Sequence, residues 1–371
     1  MGSLRSLSLG SSRVGAAAAS LSIIVAACGA ASNAQPATPT TAPSASVASG
    51  APTPAFPSAL PSPSVAVAAT PAIGSIVPEA VFQPDGTVAT IQVTDDALWV
   101  FDLTGVLRID PATNTSTHVS LTVEGGGPSV NGAIGFDSIW AGDFDLGQVR
   151  RYDETSGDLR ATIETENPEG VLATDDGVWV ANHHTGTVSR IDFETDQIAV
   201  QIEVGHEGSS GPKGLIEAGG DVWVGIPNEG KVTGVDPDKD APDGEIETSF
   251  PGGPCGPMST YGSRIYIGGC NGDTSMEVVD YGKLESVASI SLGGPSTQPV
   301  MVGDRLWFGV GLDTGGLLMS MDPESLEPSP GPAATGGYVT NIAVGFESVW
   351  VGVEGDGGAW LLRLPESSLS E

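Results

Sequence analysis

The sequence predicts an all-β protein: a seven-bladed β-propeller of four-stranded antiparallel blades, its ring closed by an N-terminal strand added to the last blade. Three observations predict it. An aromatic residue inside a short apolar strand recurs as Trp99, Trp140, Trp179, Trp223, Tyr266, Trp307 and Trp350, at steps of 39 to 44 residues. An aspartate following an apolar residue runs in phase with it, as Asp110, Asp153, Asp192, Asp236, Asp280 and Asp322. The chain also carries 52 glycines, as a protein made of many tight turns requires. Two markers sharing one period near ~40–45 residues, with room for four short strands per unit, define a propeller.

The clearest unit is Gly177 to Asp192. Val178–Ala181 and Thr187–Ile191 read as two strands joined by a polar turn that ends in Thr-Gly. Along the chain each unit reads as strands a, b, c and d from the centre outward. In the second unit they fall near Asn131–Phe136, Ser138–Gly142, Gln148–Tyr152 and Leu159–Ile163. The last unit has Asn341–Gly345, Val349–Val353 and Ala359–Leu364 and then stops after Pro365. The extra apolar segment Ile76 to Phe82, ahead of the first unit, is expected to supply its missing outer strand and leave no open ring edge.

The repeated aromatic is expected to fill the space between blades. Trp360 falls outside the register and is expected at the surface. The repeated aspartate begins a turn, as in Asp110-Pro111-Ala112-Thr113-Asn114, where its carboxylate can accept from backbone N–H groups two residues on. A residue needed in every blade serves the fold rather than catalysis.

Ahead of the propeller the composition changes twice. Residues 1–28 resemble a lipoprotein signal peptide, with Arg5 and Arg13 before an apolar run too short to span a membrane comfortably. The run closes on Val25-Ala26-Ala27-Cys28, a lipobox-like sequence in which Cys28 is the expected lipidation site. Residues 29–75 are almost entirely Ala, Ser, Pro and Thr without charge, so they cannot bury a core and read as a disordered tether. Its coil span is roughly 40 Å at ~5–6 Å × √n. The expectation is an exported protein on the outer side of a bacterial membrane, touching it only through its lipid, with the propeller occupying residues 76–371.

Residues Thr187 to Gly205, TVSRIDFETDQIAVQIEVG, resemble the repeat of YVTN-type β-propellers, which reads roughly TVSVID-x-x-T-x-x-x-x-x-x-I-x-VG. The wider group takes in NHL-like and streptogramin-lyase-like propellers, and the resemblance extends over about residues 76 to 371. It implies a ligand on the face that carries the d–a and b–c loops. Mapped onto this chain, that face offers Asp143, Phe144, Asp145, Asn182, Asn228, Glu229, Asp273 and Asp313 as ligand-binding candidates. Streptogramin lyases carry a Glu-x-His pair on one loop, a spacing this chain lacks. Gluconolactonase-like propellers hold a metal with Glu, Asn and Asp from different blades; Asn182, Asn228, Asn271 and Asp313 are of the right types without a local motif.

Charge and chemistry narrow the function further. The net charge is −32, which repels nucleic acid and anionic headgroups and could favour cations. Among three cysteines, Cys255 and Cys270 form an even pair if Cys28 is lipidated, and an exported protein would bridge them. His183, His184 and His206, with Glu207, are the candidates for proton carriers or for ligands to zinc; carboxylates alone would suit calcium or magnesium. His118, on an outer strand, is expected at the surface. No Gly-x-Ser-x-Gly, His-Glu-x-x-His or phosphate-cradling glycine loop is present. The expectation is a monomeric binding or interaction module for a protein or small molecule, the alternative being a metal-assisted lyase or lactonase-type enzyme on the same face.

Overall fold

A computed structural model describes residues 71–121, 131–208, 211–249, 252–269, 273–312 and 315–369. Cys28 and the segment before Pro71 lie outside the described residues. Seven antiparallel sheets form the blades, each a meander whose strands neighbour one another in chain order. Blade 1 is Thr90–Val93, Leu98–Phe101, Gly105–Asp110 and Thr115–Ser120; blade 2 is Gly132–Ile134, Ser138–Asp143, Gln148–Asp153 and Leu159–Glu164. Blade 3 is Pro168–Thr174, Gly177–Asn182, Thr187–Asp192 and Gln197–Glu203; blade 4 is Leu215–Ala218, Asp221–Ile226, Lys231–Asp236 and Ala241–Glu247. Blade 5 is Met258–Tyr261, Arg264–Ile267, Ser275–Asp280 and Glu285–Ser291. Blade 6 is Val300–Val302, Arg305–Leu312, Gly315–Met321 and Pro328–Thr335, and blade 7 is Tyr338–Gly345, Ser348–Gly355 and Gly358–Pro365.

The closure expected from the sequence is present. Ala80–Phe82 (β2) pairs antiparallel with the third strand of blade 7, placing Phe82 opposite Leu361. One strand precedes it that the sequence did not reveal. Ala72–Ile73 (β1) adds a fifth strand to blade 6, opposite Thr335 and Ala334. Regular structure therefore begins within the stretch assigned to the tether, because Ile73 finds a fully buried place beside Trp307, Leu318 and Trp360. The fourth strand of blade 6, which β1 pairs with only at Ala334 and Thr335, carries Pro328, Pro330 and Pro332 along the rest of its length, and these offer no N–H to a further strand.

Burial on both faces explains the near-continuous apolar strands b. In blade 3, Val178 and Val180 face the Trp140 cluster of blade 2, while Trp179 and Ala181 face Val222 and Val224 of blade 4. All seven repeat aromatics are buried, Trp307 the most exposed at 7%. Trp360 is also buried, at 3%, which corrects the expectation of a surface position. It lies opposite Val353 in blade 7 and packs into the seam with blade 6.

The repeated aspartate makes the turn between strands c and d. Asp110 Oδ1 accepts from the N–H of Ala112 and Thr113, and the same pair of bonds recurs at Asp153, Asp192, Asp236 and Asp322. The turn ends in a left-handed residue, Asn114, Gly157, Asp196 or Asp240 in blades 1 to 4, types that tolerate that conformation. The turn also receives the preceding blade. Arg151 donates to Phe193 O and Asp196 Oδ1, Arg190 to Pro237 O, and Arg363 to Pro111 O and Asn114 Oδ1. Each guanidinium also lies over its own blade's tryptophan, 4.9 Å from the Trp140 ring centroid for Arg151 and 5.1 Å from Trp350 for Arg363.

These bonds make the fold acid-sensitive. Backbone N–H donors hold Asp110, Asp192 and Asp322 below the ordinary aspartate range, and Asp153 at about 2. Lys239 is the leading cause of the same shift at Asp236; at Asp280, burial pushes up but Lys283 outweighs it. A carboxyl depressed on folding contributes stability that is complete above its unfolded pKa, near ~3.9, and is lost as pH falls through the folded value. Thermal melts should therefore hold steady down to about pH 4 and fall progressively toward pH 2. A melting temperature that does not change between pH 4 and pH 2 would show that the repeated turns contribute nothing through ionisation.

Candidate functional site

The antiparallel meander sends the b–c turns and the d–a connections to one end of every blade and the a–b and c–d turns to the other. The b–c turns of blades 2 and 3 form the best-defined cluster on the first of these ends. Phe144, directly after strand b of blade 2, lies 5.7 Å from the ring of His183 and 5.4 Å, edge-on, from His184. The two imidazoles are 5.2 Å apart. Asn167 ties the turns together, its amide donating to Phe144 O while its own carbonyl accepts from His183 N. The connection into blade 4 presses on the same backbone: a Cβ on Gly211 would stand 2.0 Å from His183 O, so a side chain is excluded there. His183 is buried by this packing and His184 is exposed.

Beneath the cluster sit two buried polar side chains. Asn182 donates to Thr187 Oγ1 and Ser189 Oγ, and its Oδ1 accepts no hydrogen bond. Asp143 accepts from Leu146 N through Oδ1, while Oδ2 lies 3.4 Å from the Arg150 guanidinium without a hydrogen bond.

One blade further round, Glu229 holds the connection from blade 3 to blade 4. It accepts from both the backbone N–H and Nδ1 of His206, at 2.5 and 2.9 Å, and pairs with Lys231 at 3.0 Å. Burial pushes the Glu229 carboxyl up, but the His206 and Lys231 contacts outweigh it and hold it at about 2. Asn228 and Glu207 stand exposed beside it, and Asp145 is exposed next to Phe144. In blade 5, Asp273 bonds Ser275 N and Oγ through one oxygen and leaves the other buried without a hydrogen bond. Asp313, Asn271 and Cys270 lie outside the described residues.

The histidines are thus divided between two neighbouring groups, His183 and His184 against Phe144, and His206 against Glu229. Among the described residues, the only group of three or more ligand atoms within 4.8 Å of one another is Asp221, Asp236 and Asp243. That group lies at the opposite end of blade 4, where Lys239 already bridges Asp236 and Asp243 at 2.5 and 2.9 Å.

One further pairing escaped sequence reasoning. His118 is exposed, as expected, and its Nε2 meets the buried Asp102 carboxylate at 3.0 Å, locking the outer strand of blade 1 to its b–c turn. Nothing in the chain's linear pattern links residues sixteen positions apart on different strands. Two of the arginine clamps did leave a signal, an arginine two residues ahead of the aspartate in Arg151-Tyr152-Asp153 and Arg190-Ile191-Asp192.

This geometry defines a seven-bladed propeller with a structured loop face. No protein-family model and no curated protein sequence matches the chain. Solved structures do match it. A chain of the crystal structure of the mitotic checkpoint complex superposes with a TM-score of 0.64 at 14% identity, over 78% of this chain and 93% of that one. Virginiamycin B lyase from Staphylococcus aureus gives 0.63 at 13% identity, over 77% and 98%. The Neurospora crassa Pan2 WD40 domain gives 0.56 at 14% identity, over 76% and 90%. At such identities the likeness is one of fold.

Proposed function

We propose that this protein is a binding module of the bacterial cell surface, a propeller held on a lipid-anchored tether and meeting its partner with the b–c and d–a loop face. The observation that carries this reading is the set of apolar and aromatic side chains that the face leaves in water. Leu103 and Leu146, in the b–c turns of adjacent blades, are 50% and 42% exposed, and Tyr338, which opens strand a of blade 7, is 47% exposed. With the half-buried Phe144 they supply the anchors from which interfaces are built. The −32 charge keeps such a face soluble. The lipobox-like ending at Cys28 supports the anchor, and a Cys255–Cys270 bridge belongs to the same exported setting.

The test is site-specific crosslinking in intact cells. A photoreactive residue at Phe144 should give a discrete adduct that one at Tyr261, on the opposite end, does not. No adduct at Phe144, or equal adducts from both ends, sinks the reading. In the same cells Cys28→Ser should move the protein from the membrane to a soluble exported fraction; unchanged partition removes the anchor.

A metal-assisted lyase or lactonase-type activity on this face is the second reading, and the adjacent imidazoles of His183 and His184 are what favour it. Adding calcium, magnesium, manganese or zinc to the chelator-treated protein would then raise its melting temperature, by a stabilisation near ~2.7 kcal/mol at a hundredfold excess over Kd. A rise that persists in the His183→Ala/His184→Ala/His206→Ala protein would place the ion elsewhere and remove the support.

A further inference from the structure

We propose that the partner of the loop face is a basic segment of another protein, its lysine or arginine side chains interleaved with apolar ones. This rests on the reading of that face as the binding surface, and it adds the chemistry of what binds. Three features of the face argue for it.

The first is the fate of the cations. In the loop half of the propeller only Arg150, Lys213 and Lys231 are present among the described residues, and each is held by a carboxylate: Arg150 by Asp143, Lys213 by Glu169, Lys231 by Glu229 and Glu245. The exposed acids Asp85, Asp145, Glu207 and Asp356 lie on the same face with no ion pair among the described residues. The opposite end is acidic too: Asp95, Asp175, Asp176, Glu217 and Asp304 are exposed there with no ion pair among the described residues, while the charge of its repeated turn aspartates is spent inside the fold. Its repeated aspartates accept backbone N–H groups, and Arg108, Arg151, Arg160, Arg190 and Lys239 neutralise their neighbours.

The second feature lies under the surface. The Asn182 carbonyl oxygen and Asp143 Oδ2 are buried acceptors with no hydrogen-bond donor, directly below the Phe144 cluster. Neither touches solvent, so neither is a contact for the partner. The Asn182 oxygen leaves a partial negative charge beneath the aromatic rings, in surroundings where it is weakly screened, whereas the Asp143 carboxylate is offset by Arg150.

The third is the apolar component. A free polyamine would meet the charge but gain nothing from Leu103, Leu146 and Tyr338. A peptide alternating cationic and apolar residues satisfies both. Such a partner is driven by charge in its encounter and by the apolar anchors in its residence.

The experiment measures fluorescence anisotropy of a labelled twelve-residue lysine–leucine peptide titrated with the full chain, beside the same peptide with acetylated lysines and one with glutamate for lysine. The expected result is saturable one-to-one binding of the lysine peptide alone, weakening at least tenfold between 50 and 200 mM salt. Phe144→Ser combined with His184→Ser should weaken it tenfold or more, and Tyr261→Ser combined with Leu284→Ser, at the opposite end, less than twofold. Equal binding of the acetylated peptide overturns the cationic class while leaving the face as the binding surface. Equal loss from both double variants, or none from either, shows diffuse attraction to an acidic protein and overturns the proposal. Failure of the lysine peptide to bind also overturns it. In every case crosslinking at Phe144 in cells reports separately on whether the face binds anything at all.

Discussion

Replacing Trp179 with alanine lowers the free energy of unfolding by about 3–5 kcal/mol. The ring is fully buried, packs against blade 4 through Val222 and Val224, and donates from Nε1 to Thr174 Oγ1 at 3.1 Å. The Arg190 guanidinium lies 5.4 Å from its centroid and reaches on to Pro237 O in blade 4. Truncation therefore opens a cavity at a seam and removes the surface on which an inter-blade clamp rests. Trp179→Phe keeps most of the packing and loses the hydrogen bond, so its cost is about 1–2 kcal/mol. Urea unfolding followed by far-UV circular dichroism measures both. An alanine variant within about 1 kcal/mol of the parent would mean that the repeated aromatic is dispensable.

The second large effect concerns ring closure. A chain shortened to begin at Gln83 loses β2, and with it the pairing to Leu361–Arg363, the Glu79 N to Arg363 O bond and the Phe82 ring 6.1 Å from Trp350. It should melt about 10 °C or more below the parent, since a lost phenylalanine alone costs about 3–5 kcal/mol in a protein of this size. It should also self-associate, because the third strand of blade 7 becomes an open apolar edge. A chain beginning at Ser75 loses only β1 and the burial of Ile73, about 1.5–3 kcal/mol, and should remain monomeric. Melting curves with size-exclusion chromatography compare the two. Equal stability of the two shortened chains would show that closure by β2 contributes nothing.

What was legible in the sequence is what every blade must repeat. Trp99 and its successors recur because each seam between blades needs the same filler, and Asp110 and its successors because each c–d turn needs the same cap. What was illegible depends on segments that meet only after folding. Trp360 seemed misplaced because its surroundings come from Ile73 and Trp307, far away in the chain. The short β1 lay hidden in a run of Ala, Pro and Ser whose composition argues for coil, and only a waiting pocket orders it. The loop face was legible in residue type and not in pairing. His206 was read beside its neighbour Glu207, yet the fold gives it to Glu229, because the turn of blade 4 rises against the connection from blade 3.

The order of the two N-terminal strands has a mechanical meaning. Tension applied to the chain ahead of Pro71 reaches blade 6 first, where β1 hangs by few bonds, among them Ala72 N to Thr335 Oγ1 and Gly74 N to Ala333 O. Those bonds must part before any load is felt by β2, the strand that keeps the ring shut. A pull strong enough to strip Ala72–Ile73 draws out a few residues and leaves the seven blades joined. The two-residue strand on blade 6 thus acts as a fuse in series with the clasp on blade 7.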